Sequence, residues 1–145
     1  LANLYHGNQN LFSQISEVTS VKAIYELFQV SATSYWQEHY QFDKESPKKK
    51  KMLSKSFIDL IVVNTLIPIQ FAYAKSRGEE VVEDLIQLLN EVAPEKNAIM
   101  DKFKSFGVHA ASAFETQAML QLKNEYCAKG RCLECAIGME LLTAT

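Results

Sequence analysis

Residues 54–75, SKSFIDLIVVNTLIPIQFAYAK, form the most apolar segment of the chain, and their reading decides the fold. As a helix this segment is about 33 Å long, enough to traverse a small domain. Asp59, Asn64, Thr65 and Gln70 interrupt its apolar positions, which argues against a membrane span and for a core helix packed on several sides. Pro68 has no N–H, so the carbonyl of Asn64 loses its helical partner and a kink is expected there. Asn64 and Thr65 lie one turn earlier, where an amide or hydroxyl can satisfy the freed backbone groups.

Outward from this helix the apolar residues keep a helical period. Leu11, Phe12, Ile15 and Val18 define one short helix, and Val21, Ile24, Tyr25, Leu27 and Phe28 a second after a tight joint at Thr19 and Ser20. Ser34 with Gln37 fits a capping box and opens a third, ending near Tyr40. Residues 41–53, QFDKESPKKKKML, are read as a lysine-rich loop, because Ser46-Pro47 disfavours helix and adjacent lysines repel one another.

On the other side, Gly78 closes the long helix, with Lys75 and Arg77 near its negative end. Glu79, Glu80, Glu83 and Asp84 then crowd the first turns of the next helix, where its dipole favours carboxylates. The pairs Glu79/Glu83 and Glu80/Asp84 have the spacing to share a divalent cation, but the dipole already accounts for them. Pro94 suits the start of a helix that stops at Gly107, and Ser112 with Glu115 forms a second capping box. A last helix is expected from about Cys132 to Leu142. The expectation is an all-α fold: a single compact, almost wholly helical domain of about seven or eight helices around a long Pro-kinked central helix.

The chain has 145 residues and a formal net charge of −2, sufficient for one domain with its own core and without the basic excess of a dedicated nucleic-acid binder. Three cysteines are too few for a disulfide scaffold and suit a reducing cytoplasm. The chain shows no secretory leader, and its first residue, Leu1, suggests a piece of something longer. The nucleophile-elbow, zincin, Walker and dinucleotide-binding signatures are absent, and the five glycines are scattered, so no catalytic base or phosphate-cradling loop can be assembled locally.

Two clusters carry candidate chemistry. The first, Cys127-x4-Cys132-x2-Cys135, places every cysteine at the junction of two helices. Thiolates there could ligate zinc or an iron–sulfur cluster, with His109, His39 or His6 brought by the fold as a fourth ligand. Lys129 and Arg131 beside a helix N-terminus would instead favour redox-active thiolates, and small buried residues packing a junction would need neither. The order of residues also resembles the iron–sulfur loop that closes helical DNA glycosylases. It departs in the shorter first gap and in Leu141, which stands where a further cysteine would.

The second cluster is Lys44, Lys48, Lys49, Lys50, Lys51 and Lys55, which with Asp43 and Glu45 give residues 43–55 a formal charge of +4 and leave −6 for the rest. Such a patch can meet phosphates, and Tyr35, Trp36, His39, Tyr40 and Phe42 just before it offer stacking surfaces. Equally, Trp36, His39 and Tyr40 share one helical face suited to a core, and a lysine run is commonly a solvated loop.

The strings SYWQEHYQFDKES, KSFIDLIVVNTLIPIQFAYAKSRGE, APEKNAIM, SAFETQAMLQLKNEYC and KGRCLECAIG together resemble the C-terminal part of an uncharacterised bacterial family, domain of unknown function family 2851, from about Leu4 to Leu142. The resemblance implies a longer protein with a strand-rich N-terminal half, itself similar to a restriction-endonuclease-like core, and carries no active-site residue onto this chain. It points to a helical accessory or interaction module of a larger cytoplasmic protein, partnered by that other half or by nucleic acid. The alternative is a metal or redox site at the cysteines.

Overall fold

The computed structural model describes residues 2–7 and 9–143 and is predominantly helical, as the periodicity requires. The chain divides into two compact units, residues 1–88 and 89–145, the division falling inside one helix.

The first unit begins with α1 (Ala2–Gly7), α2 (Leu11–Glu17) and α3 (Val21–Leu27). Ser20 caps α3 by accepting from the Ala23 N–H at 3.3 Å. Helix α4 (Ser34–Glu38) starts at Ser34, with Thr33 rather than Ser34 at its cap position and no side-chain cap bond. The expected capping box is not formed, because Gln37 turns its amide to the Ala32 carbonyl at 3.0 Å.

Two short strands occupy the stretch read as the end of a helix near Tyr40 and the start of a loop. Residues 39–45 form a β-hairpin, β1 (His39–Gln41) against β2 (Lys44–Glu45), antiparallel and turning through Phe42 and Asp43. Asp43 adopts a left-handed φ of 57°, which short polar side chains tolerate in tight turns. Beyond it the lysine stretch is tied down by its backbone. Lys49 N–H donates to the Gln37 carbonyl, and the Lys51 carbonyl accepts from Ala32 N–H, both at 2.9 Å.

The long helix runs from Lys55 to Arg77, capped by Ser54 and closed by Gly78 at φ 72°. It comprises α5 (Lys55–Ile61), a π-helical turn (Val62–Leu66) and α6 (Ile67–Arg77). The π turn is how the chain accommodates Pro68: Ile67 N–H reaches back five residues to the Val62 carbonyl, widening the helix just ahead of the proline. Asn64 Nδ2 donates to the Leu60 carbonyl at 3.0 Å, one of the local backbone bonds expected of it.

Ile58, Val62, Leu66 and Ala74 of this helix are buried with Leu4, Val21, Ile24, Phe28, Leu85 and Leu88. Gln70 is buried as well, and its Nε2 donates to the carbonyls of Ile15 and Val18 at 2.7 and 2.8 Å, fastening α2 to α6. Packing on several sides is not observed, however. By length and composition the helix is apolar enough to cross a membrane, yet only 28% of its most apolar window is buried. Phe57, Leu60 and Phe71 remain exposed.

Helix α7 (Val82–Glu91) carries Glu83 and Asp84 in its first turn. Glu79 and Glu80 precede the helix, and Glu79 instead pairs with Arg77 at 2.7 Å. In the second unit, α8 (Ala98–Ser105) starts later than Pro94 suggested. Its cap is Asn97, whose side chain accepts from Ile99 and Met100 N–H groups at 3.0 Å. Gly107, at φ 80°, stops it as expected.

Helix α9 (Ala113–Gln121) continues through a π turn (Leu122–Tyr126) and a 3-10 turn (Cys127–Lys129) to Gly130, which is left-handed. Half of its capping box is present: Ser112 accepts from Glu115 N–H, while the Glu115 carboxylate accepts from Ala111 N–H, one residue before the cap. The final helix is shorter than expected. A 3-10 turn (Cys132–Glu134) and an extended Cys135 precede α10 (Ala136–Thr143).

Candidate functional site

The aromatic residues ahead of the lysines do not line a buried core. They build the hairpin's support and its exposed tip. Tyr35 and His39, one turn apart on α4 and β1, stack with ring centroids 4.0 Å apart and planes 5° from parallel. Trp36 meets Tyr35 and Phe42 edge-on, at 5.1 and 5.0 Å. The Tyr35 hydroxyl accepts from Asp43 N–H at 3.1 Å, which pins the turn over the ring stack. Phe42 and Tyr40 are left 76% and 67% exposed on a backbone held from both ends.

The structure then sorts the six lysines. Lys48 pairs with Glu38 at 3.1 Å. Lys51 donates to the His39 carbonyl at 2.7 Å and lies over the Tyr40 ring, 3.4 Å from its centroid. Lys55 sits 5.0 Å above the Tyr25 ring. Those three are engaged in the fold. Among the described residues Lys44, Lys49 and Lys50 have no side-chain partner and are exposed, Lys44 on β2 and the other two on the stretch that follows it, with Asp43 and Glu45 as the nearby carboxylates in sequence. Three free ammonium groups, the Phe42 ring and the face of Tyr40 that Lys51 leaves open can meet a polyanion that also presents flat, stackable faces.

A second polar feature lies in the same unit. Tyr25 Oη donates to Asp59 Oδ1 at 2.5 Å, joining α3 to α5. Burial first, and then this hydrogen bond, raise the Tyr25 pKa well above the usual tyrosine range, so the phenol stays neutral. Tyr25 borders an open cavity of about 560 Å³ lined also by Val21, Lys22, Gln29, Met52 and Lys55. The Tyr25–Asp59 contact could not be seen in sequence spacing, since it joins residues 34 apart in the chain.

The cysteines are placed otherwise than a packed junction requires. Cys127 and Cys132 are exposed, Cys135 is half-buried, and all three are free thiols. Among the described residues no three His, Cys, Asp or Glu side chains are grouped so as to hold a metal ion. His109 lines a separate cavity of about 400 Å³ with Glu95, Asp101, Lys104 and Met119, while His39 is committed to its stack and His6 stands edge-on to Tyr5. The flanking cations are engaged too: Lys129 with Glu125 and Arg131 with Glu134, pairs that hold both carboxyl groups below the usual carboxylate range.

No curated protein and no solved structure matches the chain. The family model described as "Protein of unknown function (DUF2851)" matches residues 1–98. That stretch takes in the hairpin, the lysines and the long helix and stops short of the three cysteines. Over these residues the resemblance read from the sequence holds, and the chain belongs to this family of unknown function.

Proposed function

We propose that this chain is a helical accessory module of a larger cytoplasmic protein and that its hairpin, residues 39–45, binds single-stranded nucleic acid. The observation that carries the reading is a buttressed tip presenting Tyr40 and Phe42 on the same exposed segment that holds Lys44, Lys49 and Lys50. Unpaired bases stack on exposed rings irrespective of sequence, while lysines track the phosphates. A duplex offers no such base faces, so the single strand is the better ligand. The open side of Lys55–Arg77 suits a site where the companion part of the protein packs, since Phe57, Leu60 and Phe71 are apolar and uncovered.

Titration of a fluorescent thymidine or uridine oligonucleotide at several salt concentrations tests the binding. Three phosphate contacts give log Kd against log salt a slope of about 2 for a single strand. The triple variant Lys44→Gln, Lys49→Gln, Lys50→Gln should flatten that slope and weaken binding. Equal affinity of variant and parent would refute the assignment.

A further inference from the structure

Cys132 and Cys135 bracket a single 3-10 turn, and Cys135 N–H donates to the Cys132 carbonyl at 3.2 Å. Cys135 leaves the turn with an extended backbone (φ −104°, ψ 126°), so the two cysteines stand at its two ends, three residues apart. A turn closed by such a bond holds its end Cα atoms within about 7 Å, and disulfides span about 4.4–6.8 Å. Both thiols are free, and one is exposed. No metal-binding group among the described residues includes them, and Arg131 is engaged by Glu134 rather than covering the turn. Cys127 lies on a separate 3-10 turn, divided from this one by the left-handed Gly130.

We propose that Cys132 and Cys135 are a thiol–disulfide pair, oxidised by low-molecular-weight disulfides such as glutathione disulfide. The inference is independent of nucleic-acid binding. The exposed Cys132 thiolate attacks one sulfur of glutathione disulfide, forming a mixed disulfide and expelling glutathione thiolate. The Cys135 thiolate then attacks the Cys132 sulfur, forming the intramolecular bond and expelling the second glutathione. Two protein thiols lose their hydrogens, and one glutathione disulfide becomes two glutathione molecules. The bond would staple the turn on which α10 rests, since α10 packs there through Gly138.

The test incubates the folded full chain with glutathione disulfide, blocks remaining thiols and digests with trypsin without reduction. Cleavage after Arg131 leaves Cys132 and Cys135 on one peptide, whereas Cys127 falls on residues 124–129. The expected result is one alkylated Cys127 and a 132–145 peptide lighter by two hydrogens. Cys127→Ser should leave that peptide's oxidation unchanged, and Cys135→Ser should retain one glutathione on Cys132. The folded chain should also close the bond on the order of tenfold more readily than the urea-unfolded chain, because the turn raises the effective thiol concentration. A bridge from Cys127, or equal closure in folded and unfolded chains, would overturn the proposal.

Discussion

Tyr35 and His39 lie ring on ring, 4.0 Å between centroids, and this stack holds up the hairpin whose tip is Phe42. His39 Nδ1 is 2.8 Å from the Tyr35 carbonyl and the Tyr35 hydroxyl holds Asp43 N–H, so one aromatic pair joins α4, β1 and the turn. Replacing Tyr35 with Ala removes the stack and the turn's hydrogen bond together. The expected loss is about 1–2 kcal/mol of stability, with faster amide exchange at Asp43. Unchanged exchange there would show that the turn stands without its support.

Tyr25→Phe leaves Asp59 without its phenol donor. Thermal unfolding should show a cost of about 1–3 kcal/mol at neutral pH. A tyrosine whose folded pKa is raised contributes stability that is complete below its unfolded pKa, about 10, and lost as pH rises beyond it. The parent should therefore weaken above about pH 10, and Tyr25→Phe should lack that component of the alkaline decline. Parallel declines would contradict the assignment.

A Cβ on Gly138 would stand 3.0 Å from the Cys132 carbonyl carbon and closer still to its oxygen, both backbone atoms that cannot swing away. Gly138→Ala is expected to cost about 1–3 kcal/mol by overpacking. Gly7→Ala, where nothing lies within 4 Å, should stay within about 0.5 kcal/mol. Similar melting temperatures for the two variants would mean that α10 does not rest on the cysteine turn.

Ser112 is buried, accepts from Glu115 N–H and donates to Asn90 Oδ1 at 3.1 Å, so Ser112→Ala removes a cap and a tertiary bond. A loss of about 1–2 kcal/mol is expected on denaturant unfolding, against almost none for Thr33→Ala, whose side chain caps nothing. Equal losses at the two positions would contradict the observed caps.

The parts of this fold legible in the sequence are those governed by neighbours in the chain. Gly78 and Gly107 ended helices because a left-handed residue does so locally, and Ser112 with Glu115 capped one across a single turn. Pro68 correctly marked a disturbance, though the chain absorbs it by the π turn at Val62–Leu66. Asn97 was overlooked because Pro94 offers a stronger start signal, yet only Asn97 has both N–H groups within reach of its side chain.

The hairpin was hidden by helical spacing: Trp36, His39 and Tyr40 have the period of one face, but the helix ends at Glu38. Which lysines stay free depends on Glu38, the His39 carbonyl and Tyr25, contacts that no spacing encodes. The three cysteines looked convergent because they are close in sequence. Gly130 and two separate 3-10 turns set Cys127 on a different turn from the other two.

Trp36 is the sole tryptophan and stands 5.0 Å from the Phe42 ring, so its fluorescence reports directly on the tip. Adding a single-stranded oligonucleotide to the whole chain at low salt should change Trp36 emission in a saturable way. The change should be reversed by salt and lost in Phe42→Ala. Saturable binding by an independent probe with Trp36 emission unmoved, or no binding at low salt, would contradict the claim that this hairpin is the nucleic-acid contact.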